Sequence, residues 1–206
     1  NVIDLLNALP DRDFQWDVIT HSRGGLVARE LIDGVGLNHP RRRRLKFGQV
    51  VMVASPNAGT PLGSPVHWDR KLSYVANLIE MLPENSFTIA ADWLNEALKW
   101  FAANVLGNCP GLMAMDPQDA TLRQLQSRPV GQDGTRYHAL VSNFQPTGNL
   151  VARLADMGVD QFFEGANDLV VPSEGGWKTS EAVPAWVPGN RVACFGSGGN
   201  LSAGSE

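Results

Sequence analysis

Apolar and polar residues change their spacing several times along the chain, and these changes predict the order of the elements. Apolar side chains lead into a polar turn and then recur at helical spacing; they are Trp16, Val18, Ile19, Leu26, Val27 and Leu31. This pattern predicts a strand, a sharp turn and a helix. Segments 47–54, 137–144 and 190–195 predict three further strands. The first is a continuous apolar run, which is typical of a parallel strand covered on both faces.

The segment 63–130 departs from this alternation of strands and helices. Its apolar residues recur at helical spacing over 72–82 and 89–105, and this predicts two amphipathic helices. A further short helix is predicted to begin at 116–119 and to end before Pro129. We therefore predict an α/β fold with a mostly parallel sheet flanked by helices over 1–62 and 131–206, and a helical insertion over 63–130.

Ser22 stands at the apex of the predicted turn between the first strand and its helix. Gly24 and Gly25 follow where the helix must begin close to the strand, and the absence of a Cβ permits that approach. A serine at this point projects its hydroxyl beyond the strand ends, while N–H groups at the start of the helix can stabilise a developing negative charge. The pattern suits a nucleophile, and it also fits an ordinary strand-to-helix turn.

Three motifs resemble the α/β-hydrolase superfamily, in particular its bacterial lipase and esterase branch. Thr-His-Ser-Arg-Gly at 20–24, followed by Gly-Leu-Val-Ala-Arg at 25–29, resembles the nucleophile elbow Gly-x-Ser-x-Gly. Thr20 replaces the first glycine of that elbow, which implies a slightly more open turn or a displaced helix. Ser-Pro-Asn-Ala-Gly-Thr at 55–60 and Asp-Leu-Val-Val-Pro at 168–172 resemble two later motifs of the family, in the same order. The resemblance implies an incomplete α/β-hydrolase fold in which 63–130 is a cap or lid.

The resemblance also implies a function, that of a serine hydrolase which cleaves carboxylic esters through an acyl-enzyme. It assigns Ser22 as the nucleophile, the backbone N–H of Arg23 as an oxyanion-hole donor, and Asp168 as the acid that orients the catalytic histidine. The substrate would be a small-molecule or lipid ester, and no cofactor is required. Asp168 also fits a turn aspartate bonded to its own backbone. The alternative acids are Asp160, Glu164 and Glu174.

The catalytic histidine of the resembling family follows the acid, and no histidine of this sequence follows Asp168; the four are His21, His39, His67 and His138. Three explanations stay open: the histidine follows residue 206 in a longer protein, its loop is missing, or the domain is an inactive pseudo-hydrolase that binds a ligand or a protein. The helical pattern at 2–9 stands where the family has earlier elements. We therefore expect an internal piece of a longer protein, whose uncovered parallel sheet edge leads to association.

Composition and charge exclude several other classes. The net charge of −4 over 206 residues gives no electrostatic case for nucleic-acid binding, and no stretch is long enough to cross a membrane. The histidines are isolated and Cys109 and Cys194 are far apart, so there is no metal-ligand spacing and at most one disulfide. The arginine run 41–44 is interpreted as a solvated loop. The cellular compartment stays undecided, with the cytoplasm slightly favoured.

Overall fold

The structure is a computed structural model that describes residues 4, 7–8, 12–33, 40, 45–64, 110–128, 134–143, 167, 170–178 and 187–195. The strands in these ranges are β1 (Phe14–His21), β2 (Leu45–Val53), β3 (Arg136–Ser142) and β4 (Val192–Phe195). The α-helices in the same ranges are α1 (Gly24–Ile32), α2 (Pro110–Met113) and α3 (Ala120–Gln126). Short 3-10 turns cover Pro61–Gly63, Glu174–Gly176 and Gly189–Arg191.

The four strands form one parallel sheet in the order β1-β2-β3-β4. Within β2, Val51 lies opposite Ile19 on one side and opposite His138 on the other. The class is therefore α/β, as predicted, and the predicted strands lie within two residues of the observed ones. Because parallel strands end at one edge of a sheet, the segments that follow β1, β2 and β3 come together there.

The main core lies between one face of the sheet and α1. Alternate residues of a strand point to the same face, so β3 buries every second side chain, whereas in β2 the buried positions shift by one residue at Gly48. The buried members are Ala28, Ile32, Leu45, Phe47, Val50, Met52, Tyr137, Ala139, Val141 and Val187. Burying one such apolar side chain contributes about 1.5–3 kcal/mol relative to leaving it exposed. These contacts fix α1 against the sheet.

A smaller cluster holds α3 against α1, where Leu122 and Leu125 pack on Leu26. The side chain of Asp119 accepts hydrogen bonds from the N–H groups of Thr121 and Leu122, at 2.8 and 3.1 Å, and so caps the start of α3. This part of the predicted insertion therefore packs on the helix that follows Ser22. The helices predicted over 72–82 and 89–105, which make up most of the predicted lid, lie outside the described residues.

One face of β1 is exposed in the part of the chain that the structure describes. Its residues alternate between half-buried and exposed along the whole strand, and Ile19 is 79% exposed. Trp16 and Val18 pack against the core on the opposite face. Over the described part of the chain, β1 pairs with β2 alone. Of the three apolar residues that precede the turn, Trp16 and Val18 therefore contribute to the core and Ile19 does not.

Candidate active site

Ser22 occupies the turn between β1 and α1 in a strained backbone conformation. Its φ is +52°, in the left-handed region that residues with a Cβ rarely adopt. Its N–H donates to the carbonyl of Val53 at 2.9 Å, and its carbonyl accepts from the N–H of Gly25 at 3.0 Å. The turn is therefore held by β2 on one side and by the first turn of α1 on the other.

The first turn of α1 lies directly against the end of β2, and Gly25 permits this approach. A Cβ built on Gly25 would lie 2.2 Å from the Oγ of Ser55 and 2.6 Å from its Cβ, distances that real Cβ atoms do not adopt. A Cβ built on Gly24 would meet only the Cβ of Thr20, at an ordinary 3.7 Å. Thr20, which stands where the elbow that this turn resembles has a glycine, donates from its hydroxyl to the carbonyl of Val51 at 3.3 Å.

The residue that follows β1 and the residue that follows β2 each form a backbone hydrogen bond to the neighbouring strand. In addition to the bond from Ser22 to Val53, the N–H of Ala54 donates to the carbonyl of Leu140 at 2.8 Å. Ala54 also has a left-handed backbone, with φ of +47°. The turn of Ser22 and the loop 55–60 therefore lie side by side at the carboxyl edge of the sheet.

The loop 55–60 is buried and polar, and it binds the segment 170–178. The hydroxyl of Thr60 donates to the carbonyl of Val170, and the N–H of Ala58 donates to the carbonyl of Gly175 at 2.9 Å. The hydroxyl of Ser173 donates to the carbonyl of Ser142, the last residue of β3. The segment 170–178 is thus bound over the carboxyl ends of β2 and β3.

Among the predicted catalytic residues, Ser22 and Arg23 are described and Asp168 lies outside the described residues. Of its neighbours, Asn167 forms an isolated antiparallel bridge with Pro172, and Val170 is bonded to the loop 55–60 as described above. Among the alternative acids, Asp160 and Glu164 also lie outside the described residues. Glu174 forms an ion pair with Lys178 at 3.1 Å, and its side chain is 62% exposed.

Arg29 and Asn57 form a buried polar pair that the sequence interpretation did not assign. Both are 0% exposed, and the Nη1 of Arg29 donates to the Oδ1 of Asn57 at 3.2 Å. Loss of hydration lowers the pKa of the Arg29 guanidinium from its ordinary value, and the Coulombic interactions with Tyr137 and Asp33 oppose that shift. Arg29 and Asn57 lie within two of the motifs described above. Arginine in an amphipathic helix usually reaches solvent, so the sequence did not indicate that Arg29 is buried.

Other candidate chemistry is sparse in the ranges that the structure covers. No group of three or more His, Cys, Asp and Glu side chains there could hold a metal ion. None of the helices in those ranges combines the length and the apolar character that a membrane span needs. A ring nitrogen of His138 lies 2.7 Å from the side-chain amide of Gln49. Cys194 is a partly buried free thiol.

A family model with the description "Domain of unknown function (DUF7379)" matches residues 1–199. No curated protein matches the chain. The mature form of the lipase BlEst2 from Bacillus licheniformis is a similar solved structure, with 16% identity and a TM-score of 0.48; the match covers 95% of this chain and 62% of that one. Lipase 1 from Pelosinus fermentans has 13% identity and a TM-score of 0.45, and the match covers 87% of this chain and 63% of that one. EstA from Clostridium botulinum has 13% identity and a TM-score of 0.48, and the match covers 87% of this chain and 57% of that one. The chain therefore spans less than two thirds of the length of each of these structures.

Proposed function

The chain belongs to the family described as a domain of unknown function, DUF7379, and we propose that this domain is a serine hydrolase that cleaves carboxylic esters with Ser22 as its nucleophile. The backbone of Ser22 carries the proposal: a left-handed residue ends a parallel strand, and a helix begins two residues later. The left-handed conformation costs a residue with a Cβ about 1–2 kcal/mol. Strain of this kind concentrates at functional sites.

In the proposed reaction, the Oγ of Ser22 attacks the ester carbonyl carbon while its proton passes to the catalytic imidazole. The resulting oxyanion accepts a hydrogen bond from the backbone N–H of Arg23 at the start of α1. Collapse of this intermediate expels the alcohol, which takes the proton from the imidazole, and leaves the acyl group on Ser22. Water then attacks the acyl-enzyme and releases the acid.

Asp168 is the proposed acid, and its role is to orient the imidazole and stabilise its protonated form. The bonds between the loop 55–60 and the segment 170–178 support this assignment, because that loop adjoins the turn of Ser22. Glu174 is less suited, since its exposed carboxylate pairs with Lys178. The histidine itself is unassigned. Residues 63–130 are proposed as a cap whose apolar helices contact the acyl part of the ester.

The test is hydrolysis of short and long p-nitrophenyl esters by the full-length protein and by Ser22→Ala. We expect Ser22→Ala to lose about 10³-fold or more in kcat/KM, because the step that forms the acyl-enzyme is removed. Ser127→Ala is the matched control, since its hydroxyl donates to the carbonyl of Gln124 at the end of α3 and it should keep the wild-type rate. Equal rates for wild type and Ser22→Ala would refute the proposal and favour the pseudo-hydrolase that binds a ligand or a protein.

The same assay distinguishes between Asp168 and Glu174 as the catalytic acid. We expect Asp168→Asn to lower kcat by up to about 10⁴-fold, because a neutral amide cannot hold the imidazole in the required tautomer. Glu174→Gln, which removes only the exposed ion pair with Lys178, should leave kcat within about twofold of the wild type. The reverse result would transfer the role of the acid to Glu174.

A further inference from the structure

One buried amide, that of Asn57, connects the helix that follows Ser22 with the segment that follows Asp168. Its Oδ1 accepts from the Nη1 of Arg29 in α1 at 3.2 Å. Its Nδ2 donates to the carbonyl of Gly176 at 2.9 Å. Asn57 is 0% exposed, so water does not compete for either bond. The amide of Asn57 is therefore bonded to α1 through its oxygen and to the segment 170–178 through its nitrogen.

The guanidinium of Arg29, which donates to this amide, is itself bonded to α3. Its Nη2 donates to the carbonyl of Leu125 in α3 at 3.2 Å, so the guanidinium bridges α3 and the loop 55–60. A buried cation needs its acceptors because it has lost its hydration, and hydrogen bonds from a charged donor are stronger than neutral ones. The Nε2 of Gln126 also donates to the backbone carbonyl of Asn57 at 3.0 Å. Both the side chain and the backbone of Asn57 are thus restrained.

We propose that Asn57, held by Arg29, is a positioning residue that sets the location of the segment 170–178, which follows the proposed acid in the sequence, relative to Ser22. This inference rests on the proposed function. Asn57 and Arg29 are buried and act through the segments to which they are bonded, with no contact to the ester. Their effect on rate follows from geometry, because a misplacement of about 1 Å in a catalytic group lowers rate by about 10²-fold.

Asn57→Asp separates this role from a contribution to folding alone. The carboxylate has the shape of the amide, and it accepts from Arg29 and neutralises the buried charge, so the protein should stay folded. The same change replaces the donor to Gly176 with an oxygen that repels the carbonyl there. The connection to α1 is kept, and the connection to the segment 170–178 is broken.

The experiment measures kcat, KM and melting temperature of the full-length wild type, Asn57→Asp and Thr135→Val, with Ser22→Ala as the baseline. For Asn57→Asp we expect kcat to fall at least about tenfold with KM within about twofold, and little change in melting temperature. Thr135→Val is the control, because it removes a buried 3.2 Å hydrogen bond to the carbonyl of Phe47 directly before β3 begins, at the end of the strand opposite the segment 170–178. It should lower the melting temperature and keep kcat.

Wild-type kcat in folded Asn57→Asp, or a change in KM alone, would overturn the positioning role. If Asn57→Asp does not fold, Asn57→Ser takes its place, because the shorter side chain cannot reach both Arg29 and Gly176. A wild-type kcat in Asn57→Ser would again overturn the positioning role. If the wild type has no hydrolysis above Ser22→Ala, the proposed function fails and this inference fails with it. Hydrolysis that depends on Ser22 but not on Asn57 would refute the positioning role alone.

Discussion

At the scale of single residues, the candidate site is marked by backbone conformation more than by side-chain chemistry. Ser22 and Ala54 both have positive φ although both carry a Cβ. Each follows directly after a strand, and each donates its N–H to the neighbouring strand. These hydrogen bonds hold the two residues in a conformation that costs them about 1–2 kcal/mol. At Ser22 the residue in this conformation carries a hydroxyl and lies at the carboxyl edge of the sheet.

The strain at Ser22 predicts that removing the Cβ stabilises the protein. Ser22→Gly and Ser22→Ala both lack the hydroxyl, but only glycine adopts a positive φ without steric cost. We expect Ser22→Gly to unfold with a free energy about 1 kcal/mol higher than Ser22→Ala in urea denaturation. Ala28→Gly, in the interior of α1, is the control and should lose about 1 kcal/mol. A Ser22→Gly protein less stable than Ser22→Ala would show that the turn is unstrained.

At the scale of elements, the approach of α1 to the end of β2 depends on the pair Gly25 and Ser55. Ser55 is 1% exposed, so its side chain cannot move into solvent without displacing its neighbours. A helix with any larger residue at position 25 would have to move away from the sheet. Because Ser22 is joined to that helix by the bond from Gly25, such a movement would carry Ser22 with it.

Gly25→Ala should therefore lower both stability and activity. The new Cβ would overlap the side chain of Ser55, and overpacking of this kind costs about 1–3 kcal/mol. Gly24→Ala, whose Cβ meets Thr20 at an ordinary distance, is the matched control and should be tolerated. Removing the opposing side chain in a Gly25→Ala, Ser55→Gly double variant should restore part of the stability. Equal denaturation midpoints for Gly24→Ala and Gly25→Ala would contradict this account of the packing.

At the scale of the whole molecule, the two faces of the sheet differ in burial over the residues that the structure describes. α1 packs on one face, against buried residues of β2 and β3. On the other face Ile19 of β1 is exposed, and in the described ranges β1 has a neighbouring strand on one side only. A parallel sheet normally has both faces covered, and an open edge strand favours pairing with another chain. Both features predict association through β1.

Residues 1–206 produced alone should therefore self-associate, and Ile19→Lys should reduce that association. The lysine places a charge on the open face of the edge strand, a common means by which proteins avoid edge pairing. Val27→Lys is the control, since Val27 is similarly apolar and 56% exposed but lies on α1. Light scattering over a range of protein concentrations measures the effect. A wild-type chain that is monomeric and melts cooperatively would contradict the prediction.

Much of the sheet could be predicted from local spacing. The apolar segments around 47–54 and 137–144 correspond to β2 and β3, and the turn at Ser22 leads into α1 as expected. The last strand was predicted from residue 190 but begins at Val192, because Gly189–Arg191 form a 3-10 turn. The roles of Ser22, Arg23 and Asp168 came from motif resemblance and stay predictions.

The sequence alone determined the order and type of these elements, because the spacing of apolar residues reflects backbone geometry over a few neighbouring positions. The tertiary structure decided which side chains are buried and which distant residues meet. Ile19 matches the apolar pattern and is exposed, whereas Arg29 is charged and fully buried. Asn57 reaches Gly176 across 119 positions of sequence. Such contacts depend on how strands and helices pack together, and local spacing carries no information about that packing.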